Sequence, residues 1–286
     1  MDKEKLIKQK KFFPKLIIIC AFVLFLLFFV AGLSGNVVLI FPVVVCFIAL
    51  PLGMSIYYDR KILRPYKDEI IKPKLVKSVP GIKYEFLPNL SDIEIMCKSM
   101  YLIPRATSYK FTDMITDLNH SYVYKSIDLH ATHKSGGKNN TTHTDFLGKV
   151  YVVDEFNYAC EFVLIDTDYH NRFTLKYFAK QNPYYNEVVI DNEEFNSNYI
   201  LFSRNESIVR DIFDYNLIMN LNKLKYKTNG KLIVNYYQTK LYVFIYNDEN
   251  QFEDEVDVVS DYEKQIRNLD SIVKIFDKDL NGKEAQ

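Results

Sequence analysis

Asp166-Thr167-Asp168 directly follows the apolar run Phe162–Ile165. Two carboxylates placed two apart at the end of a buried strand are how haloacid-dehalogenase-type phosphatases combine a nucleophile with an acid/base. Such a site takes Thr or Val two residues beyond the second Asp, where this chain has His170. That fold also alternates strands and helices, whereas Arg172–Phe178 reads as one more strand. An Asp-rich turn, whose side chains bond the backbone two residues on, accounts for the same residues. Asp166 and Asp168 are therefore kept as the candidates of an alternative reading, a membrane-tethered, metal-dependent hydrolase or phosphatase.

His130, His133, His143 and Asp145 bracket a polar loop and have the residue types of a zinc site. Along a strand His130 and His133 face opposite sides, so convergence requires His133 to lie in the loop and fold back. Histidines at a hairpin tip are the plainer reading, and no metal is assigned. Ser135-Gly136-Gly137-Lys138 has the bare Ser-x-x-Lys spacing of penicillin-binding enzymes, but neither Ser-Asp-Asn nor Lys-Thr-Gly follows it. The same glycine pair lacks the spacing of a phosphate loop, no dinucleotide fingerprint occurs, and no cofactor is implied. Tyr184-Tyr185 and Tyr236-Tyr237 have side chains suited to a ligand groove, although Tyr and Phe are also the usual fillers of strands.

The elements that carry these residues alternate with period two through the middle of the chain. Val123, Ile127, Leu129 and Ala131 alternate with Tyr124, Ser126, Asp128 and His130, a polar loop spans Lys134–Thr142, and Gly148–Val153 follows. Further strands read at Ala159–Ile165, Glu187–Ile190, and Leu232–Tyr236 with Leu241–Tyr246, a hairpin around Gln238. Ser91-Asp92-Ile93-Glu94 and Ser203-Arg204-Asn205-Glu206 have capping-box spacing and predict helices to about Tyr101 and about Leu221. The last helix has the cleanest stripe: Val259, Tyr262, Ile266, Leu269, Val273, Phe276 and Leu280 recur three and four apart. Strands in runs with helices at the edges mean α+β, with a mostly antiparallel sheet and a C-terminal helix.

Leu16–Tyr58 contains no Asp, Glu, Lys or Arg. As one helix it would be about 65 Å long, roughly twice the ~30 Å hydrocarbon core of a bilayer. The turn-forming cluster Gly32-Leu33-Ser34-Gly35-Asn36 divides it, predicting a two-helix transmembrane hairpin with spans of about 16–33 and 37–56. A basic N-terminus (1–15) precedes the hairpin, a basic juxtamembrane segment (59–80) follows, and a soluble α+β domain occupies 81–286. Residues 1–15 carry six Lys against Asp2 and Glu4; residues 59–77 carry Arg60, Lys61, Arg64, Lys67, Lys72, Lys74 and Lys77 against Asp59, Asp68 and Glu69. Each flank is +4. With 36 basic and 36 acidic residues in the chain, residues 78–286 are left at −8.

The positive-inside rule then puts both termini and the domain in the cytoplasm, on the inner membrane. An apolar segment this long, with a second span at once behind it, argues against a cleaved signal peptide. The seven basic residues of 59–77 are also candidates to face anionic lipid. An acidic domain excludes nucleic acid as a partner, because phosphate binding needs a basic stripe. In a reducing compartment Cys20, Cys46, Cys97 and Cys160 are expected to be free thiols.

Ile82-Lys83-Tyr84, Phe146-Leu147-Gly148, and Glu187-Val188-Val189-Ile190-Asp191 leading through Tyr199-Ile200-Leu201 into a helix carry a family resemblance. On them the chain is similar to an uncharacterised bacterial membrane-protein family, domain-of-unknown-function family 3137. The family tends to have Arg before that tyrosine; here it is Asn198. The resemblance implies twin N-terminal spans and a soluble domain, and brings no catalytic residue. The function expected is a membrane-anchored binding or scaffolding module rather than an enzyme, with the lipid bilayer and another protein as partners.

Overall fold

A computed structural model describes residues 3–33, 37–120, 122–136, 141–168, 178–228, 231–246 and 257–277. The chain divides into two units, Met1–Lys77 and Ser78–Gln286.

The first unit is helical. α1 (Lys3–Leu33) takes in most of the basic N-terminus, which is thus part of the helix and not a separate tail. α2 (Val37–Tyr58) is apolar on all sides. Helical stretches Lys3–Leu33 and Phe41–Ser78 are long and apolar enough, by length and composition, to cross a membrane. Phe13 of α1 stacks on Tyr57 and Tyr58 at the end of α2, with ring centroids 5.6 and 5.7 Å apart, and Lys10 lies 5.0 Å over the Tyr66 ring.

Beyond α2 the chain stays helical to Ser78, with π-helical turns at Asp59–Leu63 and Lys67–Ile71. Their positions follow from Pro65 and Pro73. A helical proline lacks an N–H and clashes with the carbonyl four residues back, here Lys61 and Glu69, and each lies within one of the widened turns. Ile62, Tyr66, Lys67, Ile70, Ile71 and Leu75 form one buried stripe of this segment. Lys67 therefore cannot face lipid as the sequence suggested, whereas Arg60, Lys61, Arg64, Lys72, Lys74 and Lys77 are exposed.

Among the described residues, the second unit is built on a nine-stranded antiparallel sheet. Its strands are β1 (Ile82–Glu85), β2 (Ser108–Asp117), β3 (Tyr124–Lys134), β4 (Thr142–Val153), β5 (Phe162–Asp166), β6 (Asn186–Val188), β7 (Tyr199–Ser203), β8 (Lys231–Tyr237) and β9 (Lys240–Tyr246). Their order across the sheet is β1-β2-β3-β4-β9-β8-β5-β7-β6. Its helices include α3 (Ser91–Ser99), α4 (Glu193–Asn198), α5 (Glu206–Ile212), α6 (Tyr215–Thr228) and α7 (Val258–Phe276).

Alternate residues of the inner strands feed two separate cores. Phe162, Leu164, Leu232, Val234, Leu241 and Val243 pack on one face with α5, α6 and α7. Val163, Ile165, Ile233, Phe244, Phe146 and Val150 pack on the other face with Ile93, Met96 and Cys97 of α3. Both sheet faces are covered, which explains why β5 and β9 are unbroken apolar runs instead of apolar–polar alternations.

α7 is held by polar bonds as well as by its apolar stripe. The Tyr262 hydroxyl donates to buried Asp117 at 2.6 Å, Ser126 bonds Gln265, and the Tyr122 hydroxyl donates to Asp277 at 2.6 Å. His120 lies between Asp117 (3.2 Å) and Asp270 (3.7 Å). Tyr158 donates its hydroxyl to the Phe276 carbonyl, which closes the helix end. Burial raises the Asp270 carboxyl above its ordinary range, while neighbouring His120 pulls the other way.

Both predicted capping boxes are corrected. Leu90, not Ser91, occupies the N-cap of α3, and Glu94 pairs forward with Lys98 at 2.5 Å. Ser203 ends β7, where its hydroxyl bonds the Glu161 carbonyl at 2.9 Å, and Asn205 is the cap that accepts the Ile208 N–H. The helix predicted to reach Leu221 is two helices. It stops at Ile212, and Asp214 restarts it by accepting the Leu217 N–H at 2.9 Å. β2 escaped the period-two reading because a bulge at Asp113 (φ 50°) shifts its register between Thr112 and Ile115.

In the β8–β9 hairpin, Tyr237 pairs with Lys240, leaving Gln238 (φ 49°) and Thr239 (φ 60°) as a two-residue turn. Two left-handed residues make this the turn that suits strand twist, but a β-branched Thr there is strained. Thr239→Gly should raise stability by about 1 kcal/mol, read as a higher urea midpoint with unchanged slope. A lower midpoint would show that Thr239 is held without strain.

Candidate functional site

The Asp166 cluster forms where β5 ends. Asp166 is buried, and its carboxylate accepts the Asp168 N–H at 2.8 Å and the Lys225 ammonium at 3.0 Å. Lys225, reaching across from α6, also lies 3.1 Å from the exposed Asp168 and donates to the Asn198 carbonyl at 3.3 Å. Thr167 anchors the turn through its N–H and hydroxyl on the Asn198 carbonyl, at 3.0 and 3.1 Å. Asn198, where the family tends to have Arg, contacts Asn222 of α6 at 3.4 Å. This is the Asp turn that bonds its own backbone two residues on. Burial disfavours the charge on Lys225, but hydrogen bonds and attraction from Asp166 and Asp168 outweigh it and raise the ammonium's pKa.

Such a cluster stabilises a turn more readily than it attacks a phosphate. Both contacts fall on one oxygen of Asp166, Oδ1, which is bonded to a cation and an N–H, and β5 runs antiparallel to both its neighbours. His170 and residues 172–177 of the predicted strand lie outside the described residues, and Phe178 is helical.

At the β3–β4 tip the structure brings together His133, His143 and Asp145. His133 is in the strand, not folded back from a loop as convergence seemed to require. It pairs with His143, with rings stacked 5.1 Å apart, and its Nδ1 lies 2.8 Å from Asp145. The cause is a bulge: Ala131 pairs with Phe146 and Thr132 with Thr144, leaving Asp145 as the extra residue. His130 stands apart, 3.1 Å from the Thr144 hydroxyl. Among the described residues no three His, Cys, Asp or Glu side chains are placed to hold a metal ion. Gly137 and Lys138 of the Ser-x-x-Lys match lie outside the described residues.

A well-defined concavity lies elsewhere, at the end of the sheet where β4 leaves it. Asp154 N–H bonds the Val123 carbonyl at 3.1 Å and Phe156 N–H bonds the Thr239 carbonyl at 2.9 Å, drawing three loops together. The resulting cleft of about 460 Å³ is lined by Tyr122, by Phe156–Ala159, by Ile208, Asp211 and Ile212 of α5, and by Phe276 and Asp277. Phe156 lies 5.4 Å from Tyr122 and 5.2 Å from Tyr158 between ring centroids. Tyr236 supports the wall from behind, its hydroxyl donating to the Phe156 carbonyl at 3.1 Å and accepting from the Tyr158 N–H at 3.0 Å. Of the tyrosine pairs noted in the sequence, only Tyr236 touches this wall; Tyr185 lies under Arg204, 5.0 Å away. The cleft residues carried no sequence signal because they come from four segments, each unremarkable alone.

The family described as "Protein of unknown function (DUF3137)" is matched over residues 140–281, just under half of the chain. The Phe146, Glu187 and Tyr199 motifs fall inside that match, and Ile82-Lys83-Tyr84 falls outside it. No curated protein matches the chain. Among solved structures, the mycobacterial trehalose monomycolate transport factor A, TtfA, superimposes with a TM-score of 0.38 at 8% identity, over 70% of this chain and 94% of that one.

Lys225→Met should cost about 3–5 kcal/mol, because it strands the buried Asp166 carboxylate. Asp166→Asn in the same background should recover most of the loss. Since the folded pKa of Lys225 is raised, its stabilisation is full below the unfolded lysine value of about 10.4 and is lost as pH rises through the folded value. Urea midpoints from pH 8 to 11 test both points: an alkaline decline equally steep in Lys225→Met would rule out this pair as its source.

Proposed function

We propose, taking the membership of residues 140–281 in the DUF3137 family as premise, that this chain is a membrane-anchored binding or scaffolding module. One observation carries the anchoring. α1 and α2 expose large apolar side chains in quantity, among them Ile18, Phe22, Phe25, Phe29, Phe41 and Leu52. A helix that is apolar all round is stable only when buried in protein or lipid. The contacts of Phe13 with Tyr57 and Tyr58 support an antiparallel hairpin, and the uncharged Leu16–Tyr58 run supports two spans. The flanking charges support an inner-membrane protein with both termini in the cytoplasm. The exposed basic residues from Arg60 to Lys77 are then positioned near lipid headgroups.

The second unit supports binding more than hydrolysis. The candidate carboxylate Asp166 is neutralised by Lys225, whereas a cleft of about 460 Å³ at the end of the sheet is open and lined in part by aromatic residues.

A cysteine at Leu33 should be labelled by a membrane-impermeant maleimide on intact cells. A fluorescent protein fused to the C-terminus should remain protected from external protease. The chain should also stay with membranes through alkaline carbonate. Release into the carbonate supernatant, or an N-terminus cleaved after α1, would overturn the anchored reading. Proximity labelling from the C-terminus that returned no reproducible protein neighbour would overturn the scaffolding role.

A further inference from the structure

We propose that the tip of the β3–β4 hairpin binds a divalent transition-metal ion of the zinc, nickel or copper class. The ligands are the imidazoles of His133 and His143, and Asp145 positions the first of them. The site goes beyond the anchored module proposed above and does not rest on the anchoring.

Backbone register brings the two rings together. His133 and His143 are directly opposite each other in the β3–β4 ladder, so their side chains leave the same face of the sheet. The ladder continues past them through Lys134 and Thr142, and the Ser135 N–H bonds the Thr141 carbonyl at 2.9 Å. The pair therefore sits on regular strand and not on a loop. Its ring centroids are 5.1 Å apart. Two imidazoles on one tetrahedral ion, each bound through a nitrogen about 2.0–2.1 Å from it, have their centroids roughly 5 Å apart. The observed spacing is that of a chelating pair. A turn about the Cβ–Cγ bond, where imidazole has broad wells, aims both rings at one ion.

Asp145 determines which nitrogen is offered. His133 Nδ1 lies 2.8 Å from both carboxylate oxygens of Asp145. Nδ1 then carries the proton and donates it to the carboxylate, and the lone pair of the neutral ring is on Nε2. A carboxylate on the far nitrogen of a metal-binding histidine is the usual arrangement, since it fixes the tautomer and the ring and makes the ligand more basic. The one-residue bulge at Asp145 puts that carboxylate beside His133. His143 is exposed, and its partner among the described residues is the His133 ring, so its nitrogens are left for a ligand. The His133 side chain keeps 19% of its surface exposed, which gives an ion direct entry from solvent.

The donor set selects the metal. Among the described residues no third His, Cys, Asp or Glu converges on the pair, so the protein supplies two positions and water completes the shell. Imidazole suits zinc, nickel and copper, whereas calcium and magnesium take oxygen ligands. His130 is three positions along the strand, hence on the other face, where it lies 3.1 Å from the Thr144 hydroxyl. It serves as the internal control.

Calorimetric titration of Zn²⁺ into the untagged full chain in zwitterionic lipid nanodiscs tests the site, with Mg²⁺ as the hard-ion control. Zn²⁺ should bind and Mg²⁺ should not. Asp145→Ala should weaken Zn²⁺ binding about tenfold or more, and His133→Gln and His143→Gln, which each remove a ligand, at least as much. Asp145→Asn, whose carbonyl oxygen still accepts the Nδ1 proton, should recover part of the loss. His130→Gln should bind like the parent, and thermal melting confirms that each variant is folded. The proposal is overturned if Zn²⁺ does not bind or if Mg²⁺ binds as tightly. It is overturned equally if either His133→Gln or His143→Gln binds Zn²⁺ like the parent, or if His130→Gln loses as much as they do.

Discussion

Burial of the inner strands on both faces is the constraint on which the second unit depends. An antiparallel sheet commonly leaves one face to water, but here helices cover both. Every inner position must then be apolar or paired. Phe162–Ile165 and Leu241–Ile245 meet the requirement with unbroken apolar runs. Lys149 meets it by pairing with Asp128, and Asp166 by pairing with Lys225. Asn235 meets it only in part: its Nδ2 points at the sulfurs of Met96 and Met100, 3.2 and 3.4 Å away, while its buried Oδ1 has no hydrogen-bond partner among the described residues. Chemistry-bearing residues inside this sheet are there because a buried charge needs a partner. The edges obey a related rule: β1 and β6 are short, which limits the unpaired backbone presented to other chains.

Covering the sheet also determines where a ligand can enter. α7 lies over one core through Leu269, Ile272, Val273 and Phe276, and its polar bonds run to β2, β3 and the loops at their ends. Those bonds hold the end of α7 against the β4–β5 loop. The cleft is the space left where two helix ends and two loops meet without filling the corner. Its aromatic lining continues into the core through the Tyr158–Phe162 and Phe162–Phe213 ring pairs, 5.6 and 5.1 Å apart. The acidic balance of residues 78–286 thus has a local expression beside those rings.

Legibility in the sequence followed the length and regularity of each signal. The α7 stripe was readable because it repeats over five turns, and the β8–β9 hairpin because two apolar runs flank a short polar turn. β2 was not readable, because the Asp113 bulge breaks its alternation, and the α5–α6 break was hidden by a continuous helical stripe on both sides of Phe213. The capping boxes failed because spacing alone does not say what else Ser203 and Glu94 can bond. At the sites the contrast is sharper. The Asp166–Asp168 turn is local and was legible, but its cation sits 59 positions away on α6. The His133–Asp145 pair depends on a one-residue bulge that no pattern revealed.

By itself, the sequence determined the kind of each unit: an uncharged apolar run with basic flanks, then an acidic α+β domain with an antiparallel sheet and a C-terminal helix. These properties follow from composition and short-range periodicity, which act through local backbone preference and the hydrophobic effect. Tertiary structure alone decided where each carboxylate lies and what surrounds it. Asp166 and Asp211 are chemically alike; one meets Lys225 in a closed layer, and the other stands at the rim of an aromatic cleft. That difference is set by contacts between residues far apart in the chain, and such contacts exist only once the sheet has been covered.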